Sequence, residues 1–341
     1  MAVLGELISR ESKQEEDLLP ALMAVGDLPS KPAPEVRGPA SEAVANLVAN
    51  RVTSLTIVIP AKNESLGLPA LLAEVRSVLA VLPNLQYETI VVDDGSRDGT
   101  AKIAADAGSR VIRHPESLGN GAAVKRGIRE ARMEWILLLD GDGQHPPEAI
   151  PSLVAAADGF DMVVGSRGGA GGSAHRNLAN KIYNAFASYV ANRPIPDLTS
   201  GFRLVRADLA KGFAYLLPNT FSYPSTLTLS LLRAGYSVGF EPISVRPRQG
   251  KSHIRLIQDG CRFLLIILRI ATFFAPLRVF MPLALSMAGL GIAWYAVTYF
   301  TGHRFTNMAG LLLTQATVIF VLGLISEQIA AMRFERGEGQ K

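Results

Sequence analysis

From Leu55 onward the chain alternates short apolar, β-branched runs with polar turns and with segments whose apolar residues recur every three or four positions. That alternation predicts parallel strands joined by crossover helices. Strands are expected at Leu55–Ile59, Tyr87–Val92, Arg110–Arg113, Trp135–Leu139 and Phe160–Gly165, and helices near Leu68–Leu82, Thr100–Ala107, Gly121–Arg132 and Pro147–Asp158. The fold class is α/β with a Rossmann-like sheet. Ligands of such sheets bind beyond the carboxyl ends of the strands. Asp93, Asp94 and the run Asp140-Gly-Asp142 fall at those ends.

The pattern changes after Pro247. Ile254 to Ala275 is apolar at most positions but is interrupted by Arg255, Asp259, Arg262 and Arg269. Those charges predict amphipathic helices lying in a membrane interface, with arginines toward lipid phosphates, rather than a spanning helix. Val279 to Phe300 and Met308 to Ile325 are uncharged runs of spanning length, the first rich in aromatic residues near its end. Pro276 and Pro282 are expected to mark breaks near the first span, and Glu327 to sit at the interface. Arg333, Arg336 and Lys341 follow the second span, which favours a cytoplasmic C-terminus. With an even number of spans the preceding domain lies on the same side.

Before Leu55 the chain mixes Glu, Lys, Ala and Pro with scattered Leu and Val, and has no apolar core of signal-peptide length. A disordered tail is predicted over residues 1–53, followed by an α/β domain at 54–250, amphipathic helices at 251–277, a two-helix anchor at 278–332 and a cytoplasmic tail at 333–341. Composition fits that division. A hydrophobic content of 48% and a net charge of +4 suit a membrane surface, and no nucleic-acid partner is expected. The lone Cys261 excludes an internal disulfide and a Cys-rich zinc site.

Two clusters of residues carry candidate chemistry. Ile57-Val-Ile-Pro-Ala-Lys-Asn-Glu64 and Ile90-Val-Val-Asp-Asp-Gly-Ser-Arg-Asp-Gly-Thr100 bring Pro60, Ala61, Asn63, Glu64, Asp93 and Asp94 to one cleft. Carboxylates there can accept bonds from a nucleobase and from ribose hydroxyls, and Gly95 permits a tight turn. The same residues also fit a capped strand-to-helix turn with Asp98 or Ser96 as N-cap. The second cluster is Leu137-Leu-Leu-Asp-Gly-Asp-Gly-Gln-His-Pro-Pro-Glu148, in which the glycine lets Asp140 and Asp142 reach one hard cation. Mg2+ or Mn2+ would bridge them to a diphosphate and neutralise charge on the departing nucleotide. Gln144 offers a neutral oxygen ligand, and His145 reads as a turn or supporting residue.

Together with Gly165-Ser-Arg167, Asp197-Leu-Thr-Ser-Gly-Phe-Arg203 and Gly250-Lys-Ser-His-Ile254, these elements resemble the family 2 glycosyltransferases of GT-A fold. The branch they resemble contains dolichyl-phosphate mannose synthase and the bacterial polyprenyl-phosphate glycosyltransferases. The resemblance implies a GT-A nucleotide-sugar domain with a mostly parallel sheet, then amphipathic interfacial helices and two transmembrane helices. It implies inverting transfer of one sugar from a nucleotide sugar to a polyprenyl phosphate, on the cytoplasmic face of the membrane. By the same resemblance Asp140, Asp142 and Gln144 form the metal and diphosphate shell, and Pro60, Ala61, Glu64 and Asp93 the nucleoside pocket. Arg167, Arg176, Arg248 and Lys251 gather around phosphates with Asn180 and Ser200 on the acceptor side, and Asp140, Asp142, Asp197 and Arg203 are implied as the catalytic set. Bacterial members with two helices associate through them, so a homo-oligomer is implied.

A lipid phosphate, with a second pKa near 6, is already anionic at neutral pH and needs no base. Asp197 is therefore expected to orient before it acts as a base. Lys62 stands where the family often has an aromatic residue, which leaves guanosine and uridine donors both open. A processive polysaccharide synthase and a non-catalytic scaffold are the alternatives. The first normally needs a longer channel and a Gln-x-x-Arg-Trp element, and the second is opposed by the intact acidic set.

Overall fold

The computed structural model describes residues 52–82, 84–167, 174–220, 222–246, 268 and 272–338, with no account of the side chains of 174–180 and 333–338. The expected tail and nearly all of the expected amphipathic segment, with Arg248, Lys251 and Cys261, lie outside those residues.

Seven strands form one sheet: β1 (Ser54–Ala61), β2 (Gln86–Asp93), β3 (Arg110–Arg113), β4 (Trp135–Leu138), β5 (Met162–Arg167), β6 (Arg203–Arg206) and β7 (Val238–Ile243), in the order β3-β2-β1-β4-β6-β5-β7. The helices before the apolar region are α1 (Leu68–Ala80), α2 (Thr100–Asp106), α3 (Asn120–Glu130), α4 (Ile150–Ala156), α5 (Ala174–Ala191), α6 (Ala207–Phe213) and α7 (Tyr223–Arg233). Side chains alternate across β1. Leu55, Ile57 and Ile59 pack under α1 with Leu71, Val75 and Leu79, whereas Val58 faces Val124 and Ile128 of α3. Both faces are covered, so the strands read as continuous apolar runs.

Two strands were not predicted. β6 pairs antiparallel with β4 and β5, which makes the sheet mixed. Its four residues begin and end with arginine, so no apolar run announces it. β7 contains Gly239 and Pro242, which weaken a strand pattern. It lies at the sheet edge, pairing only with β5, where a missing N–H does no harm. β5 itself begins at Met162 rather than Phe160, whose ring instead covers Gly239, with a Cβ there only 2.5 Å from the ring.

Beyond the sheet lie α8 (Pro276–Gly302) and α9 (Asn307–Glu338). Both contain windows long and apolar enough to cross a membrane. They pack antiparallel, with Gly291 against Leu313 and Gly323 against Phe280. Small residues at such contacts let helix backbones approach. Outward side chains such as Leu285, Leu290 and Phe300 are exposed, an apolar surface suited to lipid. Pro282 does not break α8, contrary to its expected effect, because it lies within one continuous helix near its start.

Close packing of α3 on β1 depends on Gly127. A Cβ there would fall 2.2 Å from Cγ1 of Val58. Gly127→Ala is expected to destabilise the domain by about 1–3 kcal/mol through overpacking. Thermal unfolding of the solubilised protein checks this, and an unchanged midpoint would count against the contact.

Candidate active site

β1 and β2 end side by side, with Ala61 opposite Asp93. The loops that follow are laced together. The amides of Asn63, Glu64 and Ser65 donate to Ser96 Oγ (2.9 Å), Thr100 Oγ1 (2.9 Å) and Asp98 Oδ2 (3.2 Å). Asn63 adopts a left-handed φ of 55°, which Asn tolerates, and its Oδ1 accepts from the Arg97 amide at 3.0 Å. Its side-chain carbonyl thus ties two loops together. Asp98, rather than Ser96, accepts from the Thr100 amide at the start of α2 (3.0 Å).

The two neighbouring aspartates divide their work. Asp93 is fully buried, and its Oδ1 accepts from the Ser96 amide at 3.0 Å. Its Oδ2 lies 3.2 Å from Arg113 Nε, in a direction that makes no hydrogen bond, and remains a buried acceptor. Asp94 is different. Its Oδ1 meets His114 Nδ1 (2.8 Å) and the Leu118 amide (2.9 Å), and its Oδ2 meets Ser117 Oγ (2.7 Å) and the Gly119 amide (3.0 Å). A carboxylate has about four acceptor positions. All are used by the 114–119 loop, so Asp94 shapes that loop. Burial alone would raise its pKa, but the bonds from His114, Ser117, Leu118 and Gly119 outweigh this and hold it at about 2. Gly95, with φ of 70°, lets the same loop cross it, since a Cβ would lie 2.8 Å from the Glu116 and Ser117 backbone.

The acidic pair follows β4. Gly141 brings this turn against β1, where a Cβ would sit 2.9 Å from the Pro60 carbonyl. Asp142 is exposed and accepts from the Gln144 amide (3.1 Å) and from Gln144 Nε2, which leaves Gln144 Oε1 for a further partner. Asp140 is 28% exposed and packs onto Gly201, where a Cβ would stand 2.2 Å from Oδ2. His145 stacks on Phe202 with centroids 5.5 Å apart, and its Nδ1 lies 3.8 Å from Asp140 Oδ2. Burial pushes the Asp140 carboxyl above its ordinary value and the Asp142 charge adds to this, while His145, Asn120 and Arg203 oppose it. Two facing carboxylates with hard oxygen donors fit Mg2+ or Mn2+, cations held by one or two carboxylates and completed by phosphate oxygens and water. Among the described residues no group of three or more His, Cys, Asp or Glu forms a closed metal cage.

The basic side of the cleft is built on Asp197. Its carboxylate accepts from Arg167 Nε (2.7 Å), Nη2 (2.9 Å) and amide (3.1 Å), and from the amides of Thr199 (3.0 Å) and Ser200 (3.2 Å). Burial would raise its pKa, but the bonds from Arg167 and Thr199 lower it on balance. Ser200 is fully buried, with Oγ unpartnered. Arg203 lies beneath this turn. It is fully buried, with Nε on Ser200 O (3.0 Å), Nη1 on Pro224 O (2.6 Å) and Thr228 Oγ1 (2.8 Å), and Nη2 on Ser200 O and Leu198 O. No donor is left for a substrate, so Arg203 holds the 197–201 turn from beneath. Arg176 and Asn180 lie on α5, but their side chains are outside the described residues, as are Arg248 and Lys251.

Three contributors were not singled out in the sequence. Asn120 hydrogen-bonds Asp140 from the start of α3. Gly119 and Gly121 let that start pass within reach of the Pro218 and Asn219 carbonyls. Arg246 donates its amide to Gln144 O (2.9 Å), and its guanidinium pairs with Glu74 and Glu148 (2.8 Å each). The glycine-flanked run Leu118-Gly-Asn-Gly121 ahead of a helix was the available signal for the first two.

Two variants test this geometry. Gly201→Ala is expected to displace the Asp140 carboxylate and weaken Mn2+ binding by tenfold or more, roughly the loss that follows a disturbed ligand shell. Calorimetric titration with Mn2+ measures it, and wild-type affinity would refute the close approach. For Asp94, a folded pKa below the unfolded 3.8 contributes stability that is complete above that value and lost as pH falls toward 2. The amount is on the order of 2 kcal/mol at neutral pH. Asp94→Asn should therefore be less stable at pH 7, by a margin that narrows between pH 4 and 2. A margin constant with pH would exclude the charge as its source.

Residues 56–213 match the glycosyl transferase family 2 model, and residues 275–332 match the GtrB C-terminal hairpin. The undecaprenyl-phosphate 4-deoxy-4-formamido-L-arabinose transferase of Pseudomonas fluorescens is 31% identical over 263 residues, covering 72% of this chain and 73% of the relative. The dolichol-phosphate mannosyltransferase of Pyrococcus furiosus is 35% identical over 170 residues, 46% of this chain and 47% of the relative. Among solved structures, glucosyl-3-phosphoglycerate synthase from Mycobacterium tuberculosis, in complex with phosphoglyceric acid, shares the fold. Its TM-score is 0.52 at 19% identity, over 71% of this chain and 85% of that one. The same enzyme is also solved with Mn2+, UDP and glucosyl-3-phosphoglycerate, at a TM-score of 0.51, 19% identity and coverage of 70% and 84%. The chain belongs to glycosyltransferase family 2.

Proposed function

We propose that this protein transfers one sugar from a nucleoside diphosphate sugar to the phosphate of a polyprenyl lipid, at the cytoplasmic face of a membrane crossed by α8 and α9. The observation that carries this is the joining of a family 2 glycosyltransferase cleft to an apolar hairpin. An acceptor dissolved in the bilayer gives that hairpin its purpose. The names of the relatives, which specify undecaprenyl phosphate and dolichol phosphate, support the same acceptor class.

In this proposal Pro60, Ala61, Glu64 and the free oxygen of Asp93 receive the nucleoside. Asp140 and Asp142, with Gln144 Oε1, hold Mg2+ or Mn2+ against the diphosphate. The cation, when bound, neutralises charge on the leaving nucleotide. Manganese in the structural relative supports a divalent ion. Arg167 keeps its position through Asp197 and lends positive charge where two phosphate groups meet. The acceptor phosphate attacks the anomeric carbon directly and the diphosphate leaves, which inverts configuration. No base is required, and the bonding of Asp197 suits orientation. Arg176, Asn180, Ser200, Arg248 and Lys251 are assigned to the acceptor side by the family resemblance.

Purified protein, labelled nucleotide sugars and undecaprenyl or dolichyl phosphate test the proposal. A single-sugar product extracted into organic solvent is expected, and Asp142→Ala should lower turnover at least a hundredfold, as loss of a metal ligand does. A long water-soluble polymer, or no turnover with any donor, would overturn it.

A further inference from the structure

The hairpin meets the catalytic domain at two polar joints. At the first, Arg278 Nη1 donates to the carbonyls of Tyr189 and Val190 (3.0 Å for the latter) in the last turn of α5. Carbonyls there lack helical partners, and the helix dipole favours a cation. A bond returns from the Tyr189 hydroxyl to the Arg278 carbonyl at 3.1 Å. That carbonyl lies four residues before Pro282, which has no N–H to offer it. The proline thus frees the acceptor that Tyr189 uses.

At the second joint, Glu327 of α9 binds two elements. Its Oε1 accepts from Arg233 Nη2 at 3.0 Å, the last residue of α7, and its Oε2 accepts from the Leu277 amide at 3.2 Å. The Leu277 amide is an opening N–H of α8 with no acceptor within the helix. Gly323, one turn before Glu327, makes this reach feasible, since a Cβ there would fall 2.7 Å from Phe280 Cβ. Between the joints packing is incomplete. A cavity of about 390 Å³ opens among Val190, Leu229, Leu232, Phe274 and Leu277. Around it Val190 and Leu229 share one buried apolar cluster with Phe274 and Ala275, so the polar joints orient a contact that apolar packing holds together.

α7 reaches the cleft at its other end, and α5 meets the 197–201 turn through Asn184, whose Oδ1 accepts from the Leu198 amide at 3.1 Å. The first turn of α7 supplies the Pro224 carbonyl to Arg203, which also holds the Ser200 carbonyl beneath Asp140. Tyr183 of α5 donates to Ser225 of α7 at 2.9 Å, so the pair moves as one unit. With 18 residues, α5 spans roughly 27 Å at 1.5 Å per residue. A 10° tilt at its joint would carry its far end by roughly 5 Å on that length. A shift of that size in the cleft's height over the membrane takes an acceptor phosphate anchored in the bilayer out of line, whereas a soluble acceptor follows the cleft.

Resting on the lipid acceptor proposed above, we infer that Glu327 with Arg233, and Arg278 with the end of α5, are positioning residues that fix the height and tilt of the cleft over the membrane. An acidic side chain near the end of a spanning helix is costly unless paired, and here its partners are the domain and the neighbouring span.

The test uses the full chain in phospholipid nanodiscs. In Glu327→Gln, amide exchange across residues 223–233 and 276–280 is expected to quicken about tenfold, the effect of losing a contact worth about 1.4 kcal/mol. The KM for a long-chain polyprenyl phosphate should rise about as much, while the donor KM and transfer to a water-soluble short-chain prenyl phosphate stay unchanged. Arg233→Gln should behave alike, and the double variant should be no worse than either single one. Unchanged exchange, additive losses, or equal losses with long and short acceptors would overturn the inference. If the wild type glycosylates no prenyl phosphate, the proposed function fails, whereas the exchange measurement still decides the joint.

Discussion

Two carboxylates at the end of a buried strand repel each other, and the domain is arranged around that repulsion. Asp140 cannot retreat, because Gly201 presses against its oxygens. Arg203 gives it no hydrogen bond, since its donors go to carbonyls and a hydroxyl below, and its charge and that of His145 offset only part of the cost. Burial further raises the cost of its charge. In the proposed function this is the pair that an external cation would relieve. The apparent waste of a buried, carboxylate-free arginine then makes sense as a fixed support for the Ser200-Gly201 turn that hems Asp140 in.

The remaining acidic groups show why residue type alone does not define a site. Asp93, Asp94, Asp98 and Asp197 all lie near the cleft, yet three of them have their oxygens filled by backbone amides and side chains. Only Asp93 keeps a buried acceptor without a hydrogen bond. A group already holding several donors is a poor proton acceptor and a good anchor. Charge near the cleft thus separates into anchors that shape loops and a smaller set still able to meet a ligand.

The parallel half of the sheet was legible because β1, β2 and β4 are buried on both faces and read as unbroken apolar runs. The mixed half was not. β6 is four residues long with arginines at both ends, and β7 carries a proline that only its edge position excuses. Within the site, spacing placed Asp140 and Asp142 correctly beyond β4, since a strand end dictates that location. It could not reveal that Asn63 and Asp94 were committed to neighbouring loops, because those partners come from distant segments. Asn120 escaped notice for the same reason: it reaches Asp140 only through the crossing of α3 over β1, where Gly127 meets Val58.

The proline in α8 illustrates how a local fault can serve a longer-range end. Read along the chain, Pro282 is a helix breaker beside an apolar run. In three dimensions its helix continues, and the orphaned Arg278 carbonyl meets a tyrosine hydroxyl from the domain above. Glu327, read as a charge tolerated at an interface, likewise joins three helices through two oxygens. Both residues violate the rules for an uninterrupted apolar span, and both violations fall on the side of the hairpin that meets the catalytic domain. A span whose only task was to sit in lipid would keep neither; a span that must also hold a cleft at a set height has use for each.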